Sequence, residues 1–541
     1  MFSTFSYTDN SIVIAGKIWS DFWANIPLIR SFSFGDNIPP EYPLFPGERI
    51  RYHFFFFFLV GMLEKMGLRI DFALNFLSII GFSGMMIGVY FLTKQISKSK
   101  LAGWIAIFLF IFNSSFSWLY YLDKGIDSLP EVVTNTEYGS HGPYDNTIVS
   151  GFWKLNVYTN QRHLTLAFTF FFVAIWSIVY AKNKKWAYLG VILLISLSWM
   201  HKAILLISFL LLGALFITQT GKRRRILGAL LLAGSLCIPG ILYLNGDGVT
   251  TEKAITWRPG FLFNATDWHE FSFYLKGIPK WLVYWFLNLG FLPIVALFGW
   301  ITLSFQALKG KKVWKKITTF FTSDMVVWFV VSIVIFGIAN LFSFASDLGT
   351  NHKFINFTQI VLTAFSASFL AILWRTRVKV MVPVLLILLS LGGIFDFFPV
   401  FNDNKIIWDD VEKDPVARWI YYETKPDSIF LNTSYGYNSI GIAGRKIFWG
   451  WDYFTNGIGY NLRGRHEELK PLFQGVLTQQ QACEYLISKS IDYIYLDLHD
   501  QELKNTFLDV RVNQDYFDTT FVTVATFPLV KMYDVELTCQ N

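Results

Sequence analysis

The sequence predicts a polytopic α-helical membrane protein of about ten spans, closed by a C-terminal extracytoplasmic α/β domain. Three observations carry that expectation. The 541 residues are 53% hydrophobic and only 16% charged, with a mean hydropathy of +0.40, where a soluble domain carries about 25% charged residues. Apolar stretches long enough to span recur from residue 71 to residue 398. From Phe401 onward charge and turn signals return, and no later stretch can cross a bilayer.

The predicted spans are 71–93, 101–121, 163–181, 186–200, 202–220, 226–244, 281–307, 324–344, 354–374 and 378–398, judged against the ~20 residues that a spanning helix needs. Only Met200-His201-Lys202 interrupts the 186–220 region, which predicts a tight helical hairpin. Five linkers are basic and free of acid: Lys94–Lys100, Lys182–Lys185, Lys222–Arg225, Lys309–Lys316 and Arg375–Lys379. Positive loops stay in the cytoplasm. The remaining linkers, 122–162, 245–280 and 345–353, are mixed in charge and aromatic, and the two kinds alternate along the chain without a violation. The net charge of +7 therefore belongs to topology, and nucleic-acid binding is not expected.

Upstream of the spans, "FSYTDNSIVIAGKIW" alternates around a turn and predicts a hairpin. "DFWANIPLIRSF" reads as a helix, and residues 1–20 hold no signal-peptide core. The run His53–Leu63 holds five consecutive phenylalanines, but it is short, and counting it as a span would reverse the side of every basic linker. Residues 52–66 are therefore expected to lie on the outer leaflet. The organisation expected is 1–70 as an outer first loop with juxtamembrane helices, 71–400 as the transmembrane domain and 401–541 as the soluble domain. A first span is expected to be missing ahead of residue 1. In the C-terminal part, "DPVARWIYYET" and "QQQACEYLISKS" have helical spacing, and "SIFLN", "RKIFWG" and "IDYIYLD" read as strands. Three cysteines exclude a disulfide framework. Cys237 sits in an apolar segment, and Cys483 with Cys539 allows one bridge if the domain is outside the cytoplasm.

The ionisable groups of interest gather on the expected outer face: Asp21, Asp36, Glu41, Arg49, Arg51 and His53 in the first loop; Arg162 and His163 at a helix mouth; His201 and Lys202 at the hairpin tip; Arg258, Asp267, His269 and Glu270; and Asp347, Asn351, His352 and Lys353. Ionisable groups near the bilayer are costly unless paired or functional. Acid beside base suits polar transfer on a lipid phosphate, with Lys or Arg neutralising phosphate and a carboxylate deprotonating an acceptor hydroxyl. Structural alternatives stand beside each. Asp21 could cap its helix, Asp36 in "FGDN" is turn chemistry, and Arg162, Lys202 and Lys353 could snorkel to headgroups. No spacing marks a metal site, although carboxylates from separate loops could meet around a divalent cation. There is no phosphate-binding glycine loop, nucleophile elbow or zinc motif.

The order "SDFWANIPLIRSFSFGDN", "PPEYPLFPG", a juxtamembrane helix, paired helices with "WMHKAILL" at an outer tip, "NHKFINFTQIVLTAFSA" and a closing α/β domain resembles the GT-C superfamily of membrane glycosyltransferases. Protein O-mannosyltransferases and aminoarabinose transferases are members. "PPEYPLFPGERIRYHFFFFF" is similar to a signature of uncharacterised GT-C-like prokaryotic membrane proteins of the "YYY" type. The resemblance implies an inverting transfer of a sugar from a polyprenyl-phosphate-linked donor to a glycan, lipid or protein acceptor, on the extracytoplasmic face of the plasma (inner) membrane. It places Asp21 as the base or acceptor-orienting group, with Asp36 second. Lys202 and Lys353 match donor-phosphate contacts, with Arg49, Arg51, His53, Arg162, His163, His201, Asp347 and Asn351 lining the substrate site. Two departures are an Asp21 followed by Phe22 rather than by an acid, and the absent first span. "WGWDYF" is similar to the acceptor motif of oligosaccharyltransferases but is interrupted by Gly450, and is read as aromatic packing. Two other readings stay open. A lipid-linked-glycan transporter or non-catalytic subunit would carry charged pairs inside its helices, where few exist. An oligosaccharyltransferase would depend on a metal, which a chelator would reveal.

Overall fold

The computed structural model describes residues 1–119, 126–136, 155–245, 255–260, 262, 278–310, 320, 322–344, 351–433, 438–498 and 510–540. The chain opens with a hairpin, β1 (Phe5–Thr8) and β2 (Ser11–Ala15), turned by Asp9 and Asn10 at φ +49° and +54°, the left-handed pair that a two-residue hairpin turn requires. Helix α1 (Trp19–Ser33) follows, then the ribbon β3 (Glu41–Tyr42) and β4 (Phe45–Arg49), and α2 (Phe55–Lys65). Asp21 lies in the first turn of α1, and Ile18 holds the cap position, so Asp21 does not cap its helix.

The phenylalanine run is not a span, as expected, but neither does it lie free on a leaflet. Phe56 and Phe57 are buried, and Phe32 of α1 meets the rings of Phe54 and Phe58 at 5.9 and 5.4 Å. Gly61 lets the two helices approach, since a Cβ there would stand 2.7 Å from the Ile29 carbonyl oxygen. Helix α1 thus covers the face that the sequence reading assigned to lipid.

The helical body comprises α3 (Ile70–Ser97), α4 (Lys100–Ile111), α5 (Leu155–Asn160), α6 (Arg162–Ile175, continued by a π-helical turn to Tyr180), α7 (Trp186–Met200), α8 (Lys202–Thr218) and α9 (Arg223–Asn245). A short ribbon of β5 (Thr256–Trp257) with β6 (Phe342–Ser343) flanks α10 (Lys280–Leu289), α11 (Leu292–Leu308) and α12 (Asp324–Leu341). Helices α13 (His352–Leu373) and α14 (Met381–Phe401) complete it. Among the described residues six of these helices are long and apolar enough to cross a membrane, and a seventh span results if the bent α10–α11 pair is one. Helices α4, α7 and α8 are shorter apolar helices. Their outward faces are apolar: Phe76, Ile80, Ile87, Trp104, Leu231, Leu242, Phe305 and Val334 are all exposed. Apolar surface on this scale needs lipid rather than water beside it, and the protein is a multi-pass membrane protein.

Two expected spans come out differently. The stretch 281–307 is bent by 83°, because Gly290 leaves the helix at φ +56° and Pro293 starts the next one. The stretch 101–121 is helical only to Ile111. There the polar run Asn113–Ser117 leaves the helix to bond α14 instead: Gly393 N donates to Asn113 O at 3.0 Å, and Ser117 Oγ donates to the buried Asp396 carboxylate at 2.7 Å.

The C-terminal region adds β7 (Lys405–Asp409), α15 (Pro415–Glu423), β8 (Ile429–Asn432), α16 (Ser439–Ile442), β9 (Lys446–Ile447), α17 (Asp452–Ile458), α18 (Leu462–Phe473), α19 (Gln479–Ser488), β10 (Tyr493–Asp497), α20 (Gln514–Thr520), β11 (Val522–Thr526), β12 (Val530–Asp534) and α21 (Val535–Cys539). Five strands form a mixed sheet in the order β11-β12-β10-β8-β9, over a core of its own that contains Trp449, Phe473 and Phe517. Helix starts carry local signals: Asp414 caps α15 with Pro415 behind it, and Thr478 and Gln481 form a capping box on α19. Cys483 and Cys539 are joined in a disulfide, and Cys237 is free and buried.

The first 70 residues are built into this C-terminal region. Strand β7 pairs antiparallel with β2, Ile12 opposite Trp408. Lys17 bonds Asp403 at 2.8 Å, and Lys446 bonds Glu41 at 2.8 Å. The guanidinium of Arg445 donates to the Phe34 carbonyl at 3.0 Å. Deepest of these ties is Arg30, which is 1% exposed. Its Nε lies 3.1 Å from Glu64 Oε1 of α2, and its Nη2 lies 2.9 Å from Asp410 Oδ2. Ser33 Oγ donates to the second Glu64 oxygen at 2.6 Å. Burial pushes the Glu64 carboxyl above its ordinary value, and the Arg30 charge and the Ser33 hydroxyl pull it back.

Two outcomes follow from these contacts. Arg30→Leu strands two buried carboxylates, and removing one partner of such a pair costs about 3–5 kcal/mol; thermal unfolding in detergent measures it. Because the Glu64 pKa is raised by folding, its ionised form opposes folding as pH rises above the ordinary carboxyl range. The deficit of the variant is therefore smallest below about pH 4. Cys483→Ser opens a link between residues 56 apart and costs about 2–5 kcal/mol; thiol labelling of the unfolded, unreduced wild type should modify Cys237 alone.

Candidate functional site

The segments that precede or open four helices converge. His53 stands two residues ahead of α2, His163 lies in the first turn of α6, His201 is the N-cap residue of α8, and His352 and Lys353 open α13. His53 Nε2 and His163 Nε2 are 2.9 Å apart. The ring of His201 lies 5.1 Å from that of His53 and 5.5 Å from that of His163, centroid to centroid. All three offer a ring nitrogen, and these nitrogens lie within 4.8 Å of one another. His163 and His201 are each 2% exposed, and His53 is half-buried. Among the described residues neither ring nitrogen of His201, nor Nδ1 of His163, has a hydrogen-bond partner.

Two lysines lie within electrostatic reach of His53: Lys353, 9% exposed, and Lys202, the first residue of α8. Lys202 Nζ donates to Asn245 Oδ1 at 2.8 Å and to the Leu244 carbonyl at 3.2 Å. Helix N-termini add partial positive charge, so the three imidazoles stand beside four helix starts and two ammonium groups. It is a strongly anion-attracting place.

Asp21 lies within electrostatic reach of Tyr52, the neighbour of His53. The Tyr52 ring stacks on His53 at 4.0 Å. Burial, and then the Asp21 charge, push the Tyr52 hydroxyl well above its ordinary value, which keeps it a neutral donor. The same carboxylate acts on Tyr42. Asp21 is half-buried, and the structure brings together His53, His163, His201, Lys202 and Lys353.

The other residues expected in the site stand elsewhere. Arg162 is 2% exposed and its guanidinium is engaged inside the protein, on Asn75 Oδ1 at 2.6 Å, Thr4 Oγ1 at 3.0 Å and the Thr159 carbonyl at 3.1 Å. It ties the N-terminal hairpin to α3 and α6. Arg51 is not at a headgroup surface: it bonds Glu48 at 2.6 Å and the Gly459 carbonyl, over the Tyr460 ring. Arg49 is exposed beside Tyr243. Asn351 is 1% exposed and closes the α12–α13 connection through the Ala339 and Phe342 carbonyls, at 2.8 and 2.6 Å. Asp36 is exposed in the turn after α1, where its backbone N–H donates to Pro426. Asp347, Asp267, His269 and Glu270 lie outside the described residues.

Sequence reasoning named the three histidines singly and missed their convergence, because they come from three segments and share no spacing. It also missed a second arrangement. In "WGWDYF" the Asp452 carboxylate accepts from the Trp449 indole at 3.2 Å and lies 3.1 Å from His466 Nε2. Trp449 is fully buried in the C-terminal core, as the packing reading expected. On a different side of the helical body, Lys182, Lys184, Lys185, Lys222, Arg224 and Arg225 line one cavity of ≈ 1100 Å³, so two of the five basic linkers share a face.

No family model matches the chain, and no curated protein does. Two solved structures are similar in part. One is the archaeal oligosaccharyltransferase AglB from Archaeoglobus fulgidus in complex with an inhibitory peptide and a dolichol-phosphate, at 13% identity and TM-score 0.45 over 93% of this chain and 68% of that one. The other is the Archaeoglobus fulgidus oligosaccharyltransferase with Zn and sulfate, at 13% identity and TM-score 0.42 over 98% and 70%. Likeness at this level is too slight to carry an assignment.

The Arg162 geometry makes its own prediction. Arg162→Met leaves the Asn75 and Thr4 oxygens buried without a donor, at about 1–3 kcal/mol each. The expected outcome is a lowered unfolding temperature, with ligand affinity per folded molecule unchanged.

Proposed function

We propose that the protein is an integral-membrane glycosyltransferase of GT-C type. It takes a sugar from a polyprenyl-phosphate-linked donor and passes it to a glycan, lipid or protein acceptor on the extracytoplasmic face. What supports this reading is a cluster at helix N-termini where Lys353 and Lys202 lie within electrostatic reach of His53, with the Asp21 carboxylate within electrostatic reach of the adjoining Tyr52. The sequence argument for sidedness and the Cys483–Cys539 bridge support an extracytoplasmic placement, since disulfides persist in oxidising compartments.

The chemistry that fits is a single displacement. The acceptor hydroxyl oxygen attacks the anomeric carbon and gives its proton to the Asp21 carboxylate. The bond from that carbon to the phosphate oxygen breaks, and the polyprenyl phosphate leaves with the electron pair. Lys202, Lys353 and the converging helix starts neutralise the charge that builds on the leaving group. A base and a leaving-group stabiliser must stand on opposite sides of the reacting carbon, and this reading assigns those roles to Asp21 and to the two lysines.

Asp21→Asn keeps the shape of α1 and removes the base. With a lipid-linked sugar donor in detergent, transfer should fall by a factor of about 10²–10⁴, with expression and unfolding temperature unchanged. Lys353→Ala should weaken donor binding, and the effect should diminish as salt is raised. Wild-type transfer by a stably folded Asp21→Asn protein would remove the assignment.

A further inference from the structure

We propose that His53, His163 and His201 form a binding site for one zinc-class transition-metal ion, with its fourth coordination position open. Among the described residues this is the one place where three side chains of ligand type bring donor atoms together, and it contains no carboxylate. A tetrahedral ion at ~2.0–2.1 Å from each nitrogen holds the nitrogens ~3.3 Å apart and the ring centroids ~5.2 Å apart. The three rings stand at 4.6, 5.1 and 5.5 Å. The 2.9 Å approach of His53 to His163 opens to the required spacing by a few tenths of an ångström.

Burial gives the second observation. His201 is 2% exposed, and neither of its ring nitrogens has a hydrogen-bond partner among the described residues. An unpartnered buried polar group is costly, and an ion between the rings satisfies one nitrogen on each. Chemistry then selects the metal. Three imidazoles without an oxygen ligand suit Zn²⁺, Cu²⁺, Ni²⁺ or Co²⁺, whereas Mg²⁺ and Ca²⁺ need carboxylates and carbonyls. A divalent cation held by carboxylates from separate loops, the expectation from sequence, has no counterpart among the described residues.

The nearby lysines oppose a bare cation but do not oppose a metal that keeps an anion. Neutral imidazoles leave the full double charge on the ion. The fourth ligand is therefore an anion, a hydroxide or a phosphate oxygen, which Lys353 and Lys202 also attract. Three protein ligands with an exchangeable fourth is the pattern of reactive rather than structural zinc.

The site rests on the three rings and not on the transfer reading, and the two can fail separately. Full-length protein in detergent, loaded with Zn²⁺ and desalted, should retain about one equivalent by elemental analysis. Asp21→Asn should retain the same amount, and His201→Gln should lose at least ten-fold. Since His201→Gln is a buried change that could unfold the protein, wild type is also titrated with Co²⁺. Visible ligand-field bands of a four-coordinate ion should appear at one equivalent, vanish on Zn²⁺ addition, and shift when inorganic phosphate is added. Folded wild type that retains no Zn²⁺ and shows no such bands overturns the site, as does a His201→Gln protein that retains zinc like wild type.

Discussion

The placement of Arg30 is the constraint on which the rest of the structure depends. It is a fully buried cation near the end of α1, and it bridges a carboxylate on α2 to one just beyond β7. A charge in that position is tolerable only with both partners in place. The pairing therefore fixes three things together: the direction of α1, the seat of α2 against it, and the docking of the C-terminal region on both. The far end of α1 carries Asp21, and the residues leading into α2 are Tyr52 and His53. One ion pair thus governs the relation between the carboxylate and the histidines, although it touches neither.

The helical body supplies the other half of the site by a different rule. In lipid every backbone group must be satisfied, so breaks in helices are confined to places buried in protein or facing water. The starts of α6, α8 and α13 are such breaks. His201, in extended backbone between α7 and α8, brings the start of α8 to His163 at the start of α6. Positively polarised helix ends and lysine side chains reinforce one another there. Tyr52, raised out of its ionising range by burial and then by the Asp21 charge, stays a neutral ring stacked on His53.

Much of the fold was legible in the sequence. The alternation around Asp9-Asn10 announced the hairpin, the short run after His53 was recognised as no span, and β8, β9, β10, α15 and α19 lie where alternation and helical spacing put them, whereas β7, β11 and β12 were not anticipated. Charge parity gathered Asp21, His53, His163, His201, Lys202 and Lys353 on one face. Parity yields a face, however, not a distance. Arg162 and Arg51 shared that face and are engaged elsewhere, because hydrogen-bond partners such as Asn75, Thr4 and the Gly459 carbonyl leave no trace in sequence spacing. The histidine cluster was unreadable for the same reason: its members are brought together by helix packing alone. The early end of α4 was hidden too, since the apolar residues on both sides of the polar run Asn113–Ser117 masked it, and its partners on α14 leave no trace in the sequence.

The two halves of the site also differ in how rigidly they are held, and this decides which half can adapt to a substrate. Asp21 sits on a helix anchored by a buried ion pair and follows a three-stranded sheet that joins the N-terminal hairpin to β7. His163 and His201 are packed in the helical body, whereas Lys202 is held through Asn245 and Leu244 at the end of α9, a flexible ammonium on neutral acceptors. A carboxylate that must remove one proton needs fixed geometry. A cation that meets a mobile lipid phosphate needs reach, and a neutral partner releases it at little cost. In the proposed transfer, the acid on an anchored helix and the lysine held by neutral acceptors would suit those two demands.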